Sequence, residues 1–154
     1  MLDALKGRAV MDPQKQPAPA GAATRNPTVL LVEDDPAVAQ VAETWLRKLH
    51  WDVTVAADGR EAATIAAHRE APLDLLVADV MLPGMRGPAL AGAVRRHHHE
   101  TAVLFTSGYS PELVSELFAA HIDTALLIKK PYTKAQLEAG IQVALARKGA
   151  AGVS

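Results

Sequence analysis

The chain has 154 residues, a formal net charge of −1 and no cysteine. That length suffices for one domain with a sizeable core; the absence of cysteine excludes disulfides, thiolate nucleophiles and zinc–thiolate sites, and the balanced charge supplies no global field that would draw the chain to nucleic acid or an anionic membrane. About half the residues are apolar, yet there are only two Trp, two Tyr and two Phe, so the core has to be built from Ala, Val, Leu and Ile.

Residues 1–27 show no sustained periodicity, and Gln14 to Ala23 is rich in Pro, Ala and Gln, a composition that does not bury enough surface to fold alone. A flexible leader is expected, ahead of one domain over 28–147 and a short tail over 148–154. Met1 to Val10 lacks the apolar centre of a secretion signal, and no apolar run reaches the roughly 18 to 20 residues that span a bilayer. A cytoplasmic location without membrane insertion is therefore expected.

Thr28 to Val32 is a continuous apolar run and reads as a strand buried on both faces. Of the acids that follow it, Asp35 precedes Pro36 and is explained as the N-cap of a helix. That helix carries Val38, Val41, Ala42, Trp45, Leu46 and Leu49 as one predicted apolar stripe. Glu33 and Asp34 are left at the strand end with no structural task. Asp52 to Ala57 gives a second strand, with Val53, Val55 and Ala57 on one face. Asp58 and Glu61 form a capping arrangement for an alanine-rich helix running to about Glu70. After Pro72, Leu73 to Ala78 is a further leucine- and valine-rich strand that stops on Asp79, and Pro83-Gly84 turns the chain. Pro88 opens a helical segment to about His98. Thr101 to Thr106 is the fourth strand, followed by Ser110-Pro111 as a cap and by a stripe of Leu113, Val114, Leu117 and Phe118. Thr124 to Ile128 is the fifth, ending in Lys129-Lys130-Pro131-Tyr132. Thr133 with Gln136 caps the last helix, whose predicted inner face is Leu137, Ile141, Ala144 and Leu145.

Strand and helix thus alternate five times, the pattern of a parallel α/β sheet with right-handed crossovers and helices on both faces. All strands then point their carboxyl ends toward one edge, where such sheets place ligands. Glu33, Asp34, Asp79, Thr106 and Lys130 collect there. Three converging carboxylates call for a cation, and hard oxygen ligands suit Mg²⁺. A lysine and a hydroxyl beside them suit an anion with several oxygens, such as a phosphoryl group. Asp79 is then placed to act as a nucleophile and become an aspartyl phosphate.

Leu31-Val32-Glu33-Asp34-Asp35-Pro36, Asp79 with Val80-Met81-Leu82-Pro83-Gly84-Met85, Thr106-Ser107 and Lys130-Pro131 together resemble the motif set of response-regulator receiver domains of two-component systems, over roughly Thr28 to Ala146. The resemblance implies a flavodoxin-like five-stranded doubly wound sheet in order 2-1-3-4-5. It implies Asp79 as phosphoacceptor, and Glu33 and Asp34 with the Met81 backbone carbonyl as Mg²⁺ ligands beside it. Thr106 is implied as the switch hydroxyl, Lys130 as the phosphate-binding lysine, and Lys130–Pro131 as a cis peptide. The implied donor is a histidine kinase or histidine phosphotransfer protein, and the implied chemistry is self-catalysed phosphorylation and dephosphorylation rather than turnover of a separate substrate. In many members an aromatic ring stands three residues before the lysine; here it is Leu127. Met81 and Gly108 occupy the positions where the family tunes phosphoryl lifetime. With no helix-turn-helix, zinc finger or effector domain visible, a stand-alone receiver without direct nucleic-acid binding is expected, its output passing to a downstream protein partner that the sequence does not identify.

Two other classes compete. A haloacid-dehalogenase-type phosphatase also uses a nucleophilic Asp and Mg²⁺, but in an Asp-x-Asp pattern closing the first strand, whereas the first-strand acids here are adjacent. A phosphorylation-independent interaction module would be expected to lack Asp79, Asp34, Thr106 or Lys130, and all four are present. His97-His98-His99 reads as a solvated helix end, since adjacent helical residues point in different directions. Arg95-Arg96 reads as a small basic surface spot, Trp45 and Phe118 as core, and Tyr109 and Tyr132 as either loop packing or partner contact.

Overall fold

The computed structural model describes residues 25–108 and 126–147, with single helical positions at Glu112, Ser115 and Ala119 between them. Most of the expected leader, Tyr109, the Ser110-Pro111 cap, the Leu113, Val114, Leu117 and Phe118 stripe, Thr124 and the tail from Lys148 lie outside the described residues.

The elements are β1 (Thr28–Val32), α1 (Pro36–Lys48), β2 (Asp52–Ala56), α2 (Gly59–His68), β3 (Leu75–Asp79), α3 (Gly87–His97), β4 (Ala102–Ser107), β5 (Leu127–Lys129) and α4 (Lys134–Arg147). All five strands pair in parallel in the order β2-β1-β3-β4-β5, the 2-1-3-4-5 order implied by the resemblance. Strand β3 is buried along its whole length, as its unbroken apolar sequence requires.

Alternation along each strand sorts the core into two layers. Leu30, Val32, Leu76, Ala78, Val103 and Phe105 face Ala62 and Ala66 of α2 and Leu90 and Val94 of α3. Val29, Leu31, Leu75, Val77 and Leu104 face Ala42 and Leu46 of α1 and Leu137, Ile141 and Ala144 of α4. Leu127 pairs in register with Phe105 and packs against the first layer.

Local sequence signals set the helix starts. The Asp35 carboxylate accepts hydrogen bonds from the Ala37 and Val38 N–H groups at 2.9 and 3.4 Å. Asp58 accepts from Glu61 N–H at 2.8 Å while Glu61 accepts from Ala57 N–H at 2.9 Å. Thr133 and Gln136 cap α4 reciprocally at 3.0 and 2.9 Å.

Several expectations are corrected. Val41 is 47% exposed, because the sheet-facing stripe of α1 is Ala39, Ala42 and Leu46. Val41 lies one residue, or about 100° of helix, from that line. Trp45 is only half buried and packs obliquely on Tyr132, their ring centroids 6.2 Å apart; the tryptophan in the core is Trp51. Strand β2 stops at Ala56, leaving Ala57 exposed, and α2 ends at His68, short of Glu70. His97 and His99 are exposed, but His98 is half buried with Nε2 2.9 Å from the Ala66 carbonyl oxygen, tying the end of α3 to α2. Arg95 is not free surface either: its guanidinium donates to the Thr101 carbonyl at 2.9 and 3.2 Å.

At the amino edge of the sheet, Asp74 accepts from Arg25 at 2.8 and 3.3 Å, from Thr28 N–H at 2.8 Å and from the Thr28 hydroxyl at 3.1 Å. Burial pushes its carboxyl up, but the Arg25 and Thr28 bonds outweigh this and hold it below its ordinary value of 3.8. A depressed carboxyl contributes stability above its unfolded value and loses it as pH falls through the folded one. Asp74→Ala is therefore expected to cost about 1–2 kcal/mol at neutral pH, and less as pH falls below 3.8 and the charged form is lost. Urea unfolding of both proteins at pH 7 and pH 3 checks this.

Candidate functional site

The carboxyl ends of the parallel strands share one edge, and four of the five strands bring polar residues to it. Glu33 and Asp34 follow β1, Asp79 ends β3, Thr106 lies in β4 opposite Asp79 in the register, and Lys130 follows β5. The register therefore places Thr106 directly beside the central carboxylate, with the Thr106 carbonyl accepting from Val80 N–H at 2.9 Å.

Lys130 stands between the acids. Its Nζ donates to Asp79 Oδ2 at 2.7 Å and to Glu33 Oε1 and Oε2 at 3.1 and 3.3 Å. The Lys130 N–H donates to the Ser107 carbonyl at 2.7 Å, anchoring the loop after β5 to the end of β4. The Lys130–Pro131 peptide bond is cis. Asp79 Oδ1 accepts from the Met81 N–H at 3.0 Å, so both oxygens of this carboxylate are engaged. Glu33 Oε2 likewise accepts from Asp35 N–H at 3.1 Å.

Glu33 and Asp79 are 4% and 6% exposed; Asp34 is open to solvent. One carboxylate oxygen from each of Glu33, Asp34 and Asp79 falls within 4.8 Å of the others, the arrangement of a metal-ligand set. Burial raises the Glu33 carboxyl above its ordinary value of 4.5, against the opposing pull of the Asp35 N–H and the Lys130 ammonium. Burial would lower Lys130, but its bonds to Asp79 and Glu33 outweigh that and raise it above 10.5. Taken ionised, three acids and one lysine leave a charge of −3 + 1 = −2 in a half-enclosed space. A divalent cation balances that charge, and the all-oxygen donor set suits Mg²⁺. The residues fit the ion.

Met81 is 50% exposed, with its Sδ accepting from Arg86 Nη1 at 3.2 Å. Sequence reasoning left Tyr132 open; its ring packs on Trp45, and burial first, then the charges of Glu33 and Asp79, push its phenol up to about 12. Together with Val38, Val41, Lys130 and Pro131 these rings line a groove of about 500 Å³ running from Lys130 along α1. The sequence signal for it is Val38, Val41 and Trp45, which share the predicted apolar stripe of α1 with Ala42 and Leu46 but lie off its sheet-facing line.

A doubly wound parallel sheet carrying three acids, a hydroxyl and a lysine at its carboxyl edge defines a class of α/β domain whose acidic cluster could hold a metal ion. Residues 29–142 match the profile of the response regulator receiver domain, and the chain belongs to that family of phosphoacceptor signalling domains of two-component systems. It is 32% identical over 121 residues to the sensor kinase CckA of Brucella abortus (strain 2308), covering 79% of this chain and 13% of that protein. To the transcriptional activator protein PfeR of Pseudomonas aeruginosa it is 34% identical over 123 residues, covering 79% of this chain and 39% of that protein. The chain thus spans well under two thirds of these relatives. The receiver domain of the sensor histidine kinase PA1611 from Pseudomonas aeruginosa PAO1, solved with a magnesium ion in its active site cleft, is 26% identical with a TM-score of 0.66, covering 79% of this chain and 98% of that one. No described helix is long and apolar enough to cross a membrane.

Proposed function

We propose that the domain formed by residues 28–147 accepts a phosphoryl group on Asp79 from a histidine kinase or a histidine phosphotransfer protein, and passes the signal on through protein contacts. The observation that carries this reading is the Lys130 ammonium held 2.7 Å from Asp79 and 3.1 Å from Glu33 within a three-carboxylate cluster.

In this mechanism an Asp79 oxygen attacks the phosphorus of a phosphohistidine. The new bond is O–P, the broken bond is P–N, and the electron pair of the latter returns to the imidazole. Glu33, Asp34 and Asp79, with the Met81 carbonyl, would hold Mg²⁺, which when bound offsets charge on the transferring oxygens. Once phosphorylated, Asp79 carries one negative charge fewer on its own carboxyl group, and Lys130 exchanges that ion pair for one with a phosphoryl oxygen. The hydroxyl of Thr106, the register partner of Asp79 on the neighbouring strand, donates to another. Those two new bonds favour one of two packings of the adjoining face, the basis of the switch. The Met81 N–H that meets Asp79 Oδ1 fixes the carboxylate plane before transfer. The domain acts on itself rather than turning over a separate substrate, and a cytoplasmic location goes with such donors.

Excess EDTA is expected to slow phosphoryl transfer by about a hundredfold or more, with recovery on adding Mg²⁺. The check is the rate of radiolabel or mass gain with a phosphorylated histidine protein. Transfer at an undiminished rate in EDTA would contradict the role given to Glu33 and Asp34.

A further inference from the structure

The loop from Val80 to Arg86, which follows Asp79 and carries Met81, is gripped at two places by backbone that has no side chain. At its base, Gly87 N–H donates to the Val80 carbonyl at 2.9 Å. A methyl group on Gly87 would stand 2.9 Å from the Asp79 carbonyl oxygen and 3.0 Å from Val80 Cα. At its far side the first turn of α2 closes on it. There a methyl group on Gly59 would stand 2.6 Å from the Met85 carbonyl oxygen and 2.7 Å from Met85 Cβ, and Gly59 N–H reaches the Pro83 carbonyl at 3.5 Å. Between these grips Gly84 turns the chain at φ +80°. By contrast, a methyl group on Gly92 of α3 meets nothing within 4 Å.

Among the described residues the cluster offers three carboxylates, and the Met81 carbonyl proposed above as a further ligand belongs to this loop, so its position depends on what the loop leans on. We infer that Gly59 is a positioning residue: its bare Cα lets α2 seat the Met81-bearing loop, and that seating sets the affinity of the site for a divalent cation. The inference rests on the cation reading of the cluster proposed above. A Cβ at residue 59 has no flexible side-chain end to displace, since its nearest neighbour is a backbone carbonyl. The loop, being the less buried partner, moves outward, and the carboxylates on β1 and β3 stay where the sheet holds them.

The test is Mg²⁺ titration by calorimetry, together with the rise in thermal midpoint on adding Mg²⁺, for wild type, Gly59→Ala and Gly92→Ala. Gly59→Ala is expected to bind Mg²⁺ about tenfold more weakly and to show a smaller Mg²⁺-induced rise, while Gly92→Ala matches wild type. In phosphorylation assays the half-saturating Mg²⁺ concentration rises and the rate at saturation is retained. Loss of thermal midpoint without any change in Mg²⁺ affinity would mean a purely structural glycine and overturns the inference. Failure of the wild type to bind Mg²⁺ would instead overturn the reading beneath it. Should Gly59→Ala not fold, Met85→Gly leaves the Met85 carbonyl in place but removes the Cβ that rests against Gly59, so the loop loses part of its seat on α2 and Mg²⁺ binding is expected to weaken; unchanged binding there overturns the inference equally.

Discussion

Asp79→Asn is expected to reduce labelling by a phosphohistidine donor to background. The substitution keeps the size and planar shape of the side chain, and the amide oxygen still accepts from Met81 N–H as Oδ1 does now at 3.0 Å. What disappears is the carboxylate nucleophile, and an amide nitrogen, its lone pair delocalised, is no substitute. The fold should survive, because Lys130 retains Glu33 at 3.1 and 3.3 Å and because one of three mutually repelling carboxylates is gone. Cation affinity should fall as the ionised cluster goes from −2 to −1. Intact-protein mass before and after exposure to donor is the measurement, with circular dichroism to confirm folding. A phosphoryl mass gain that persists in Asp79→Asn would point to Glu33 or Asp34 as acceptor, the two carboxylates within 4.8 Å of the same spot.

That Asp79, Glu33, Asp34 and Lys130 share one edge was legible because each sits at a strand end, where an apolar run breaks abruptly into a charge. Parallel topology then fixes which end of the sheet they share. Continuous burial of β3 and β4 follows from residues such as Leu76, Val77 and Leu104, for which one sequence pattern permits one placement. Surface and core were harder to divide on α1. Val38, Val41 and Trp45 are as apolar as Ala39, Ala42 and Leu46, and helical spacing allows either line to face inward. The sheet lies closest to the alanines, whose small side chains permit tight approach, and this decides the matter in a way periodicity does not. Trp51 escaped notice for the opposite reason: it stands alone in the turn before β2, where no repeat marks it, yet it is buried. The present partners of Lys130 were also invisible. A lysine after β5 says nothing about whether it pairs with two carboxylates or with a ligand, because that depends on what occupies the space between them.

That dual partnership makes Lys130→Met the second decisive substitution. Phosphoryl transfer is expected to fall about a hundredfold, since the variant loses the ammonium that meets Asp79 Oδ2 at 2.7 Å. The consequence for stability has a definite sign. Without the ammonium, Glu33 and Asp79 face each other nearly buried and uncompensated, so the metal-free variant should be less stable at neutral pH by about 3 kcal/mol, the lower end of the range for breaking a buried pair, because Lys130 is itself a fifth exposed. Glu33 is already raised above 4.5 by burial, and a raised carboxyl leaves stability complete below its unfolded value and erodes it as pH rises through the folded one. Losing Lys130 raises Glu33 further, so the deficit of the variant should be small near pH 4.5 and grow toward neutrality. The wild-type lysine, held above 10.5, keeps its contribution across that whole interval and loses it only at higher pH. Mg²⁺ should reverse the order of sensitivity, because a divalent cation meets a charge of −3 in the variant and −2 in the wild type. Thermal midpoints at pH 5 and pH 8, with and without Mg²⁺, therefore give a larger metal-induced rise in Lys130→Met at pH 8. Equal rises in the two proteins would place the cation away from Lys130 and Asp79, and an unchanged transfer rate would remove Lys130 from the phosphoryl group.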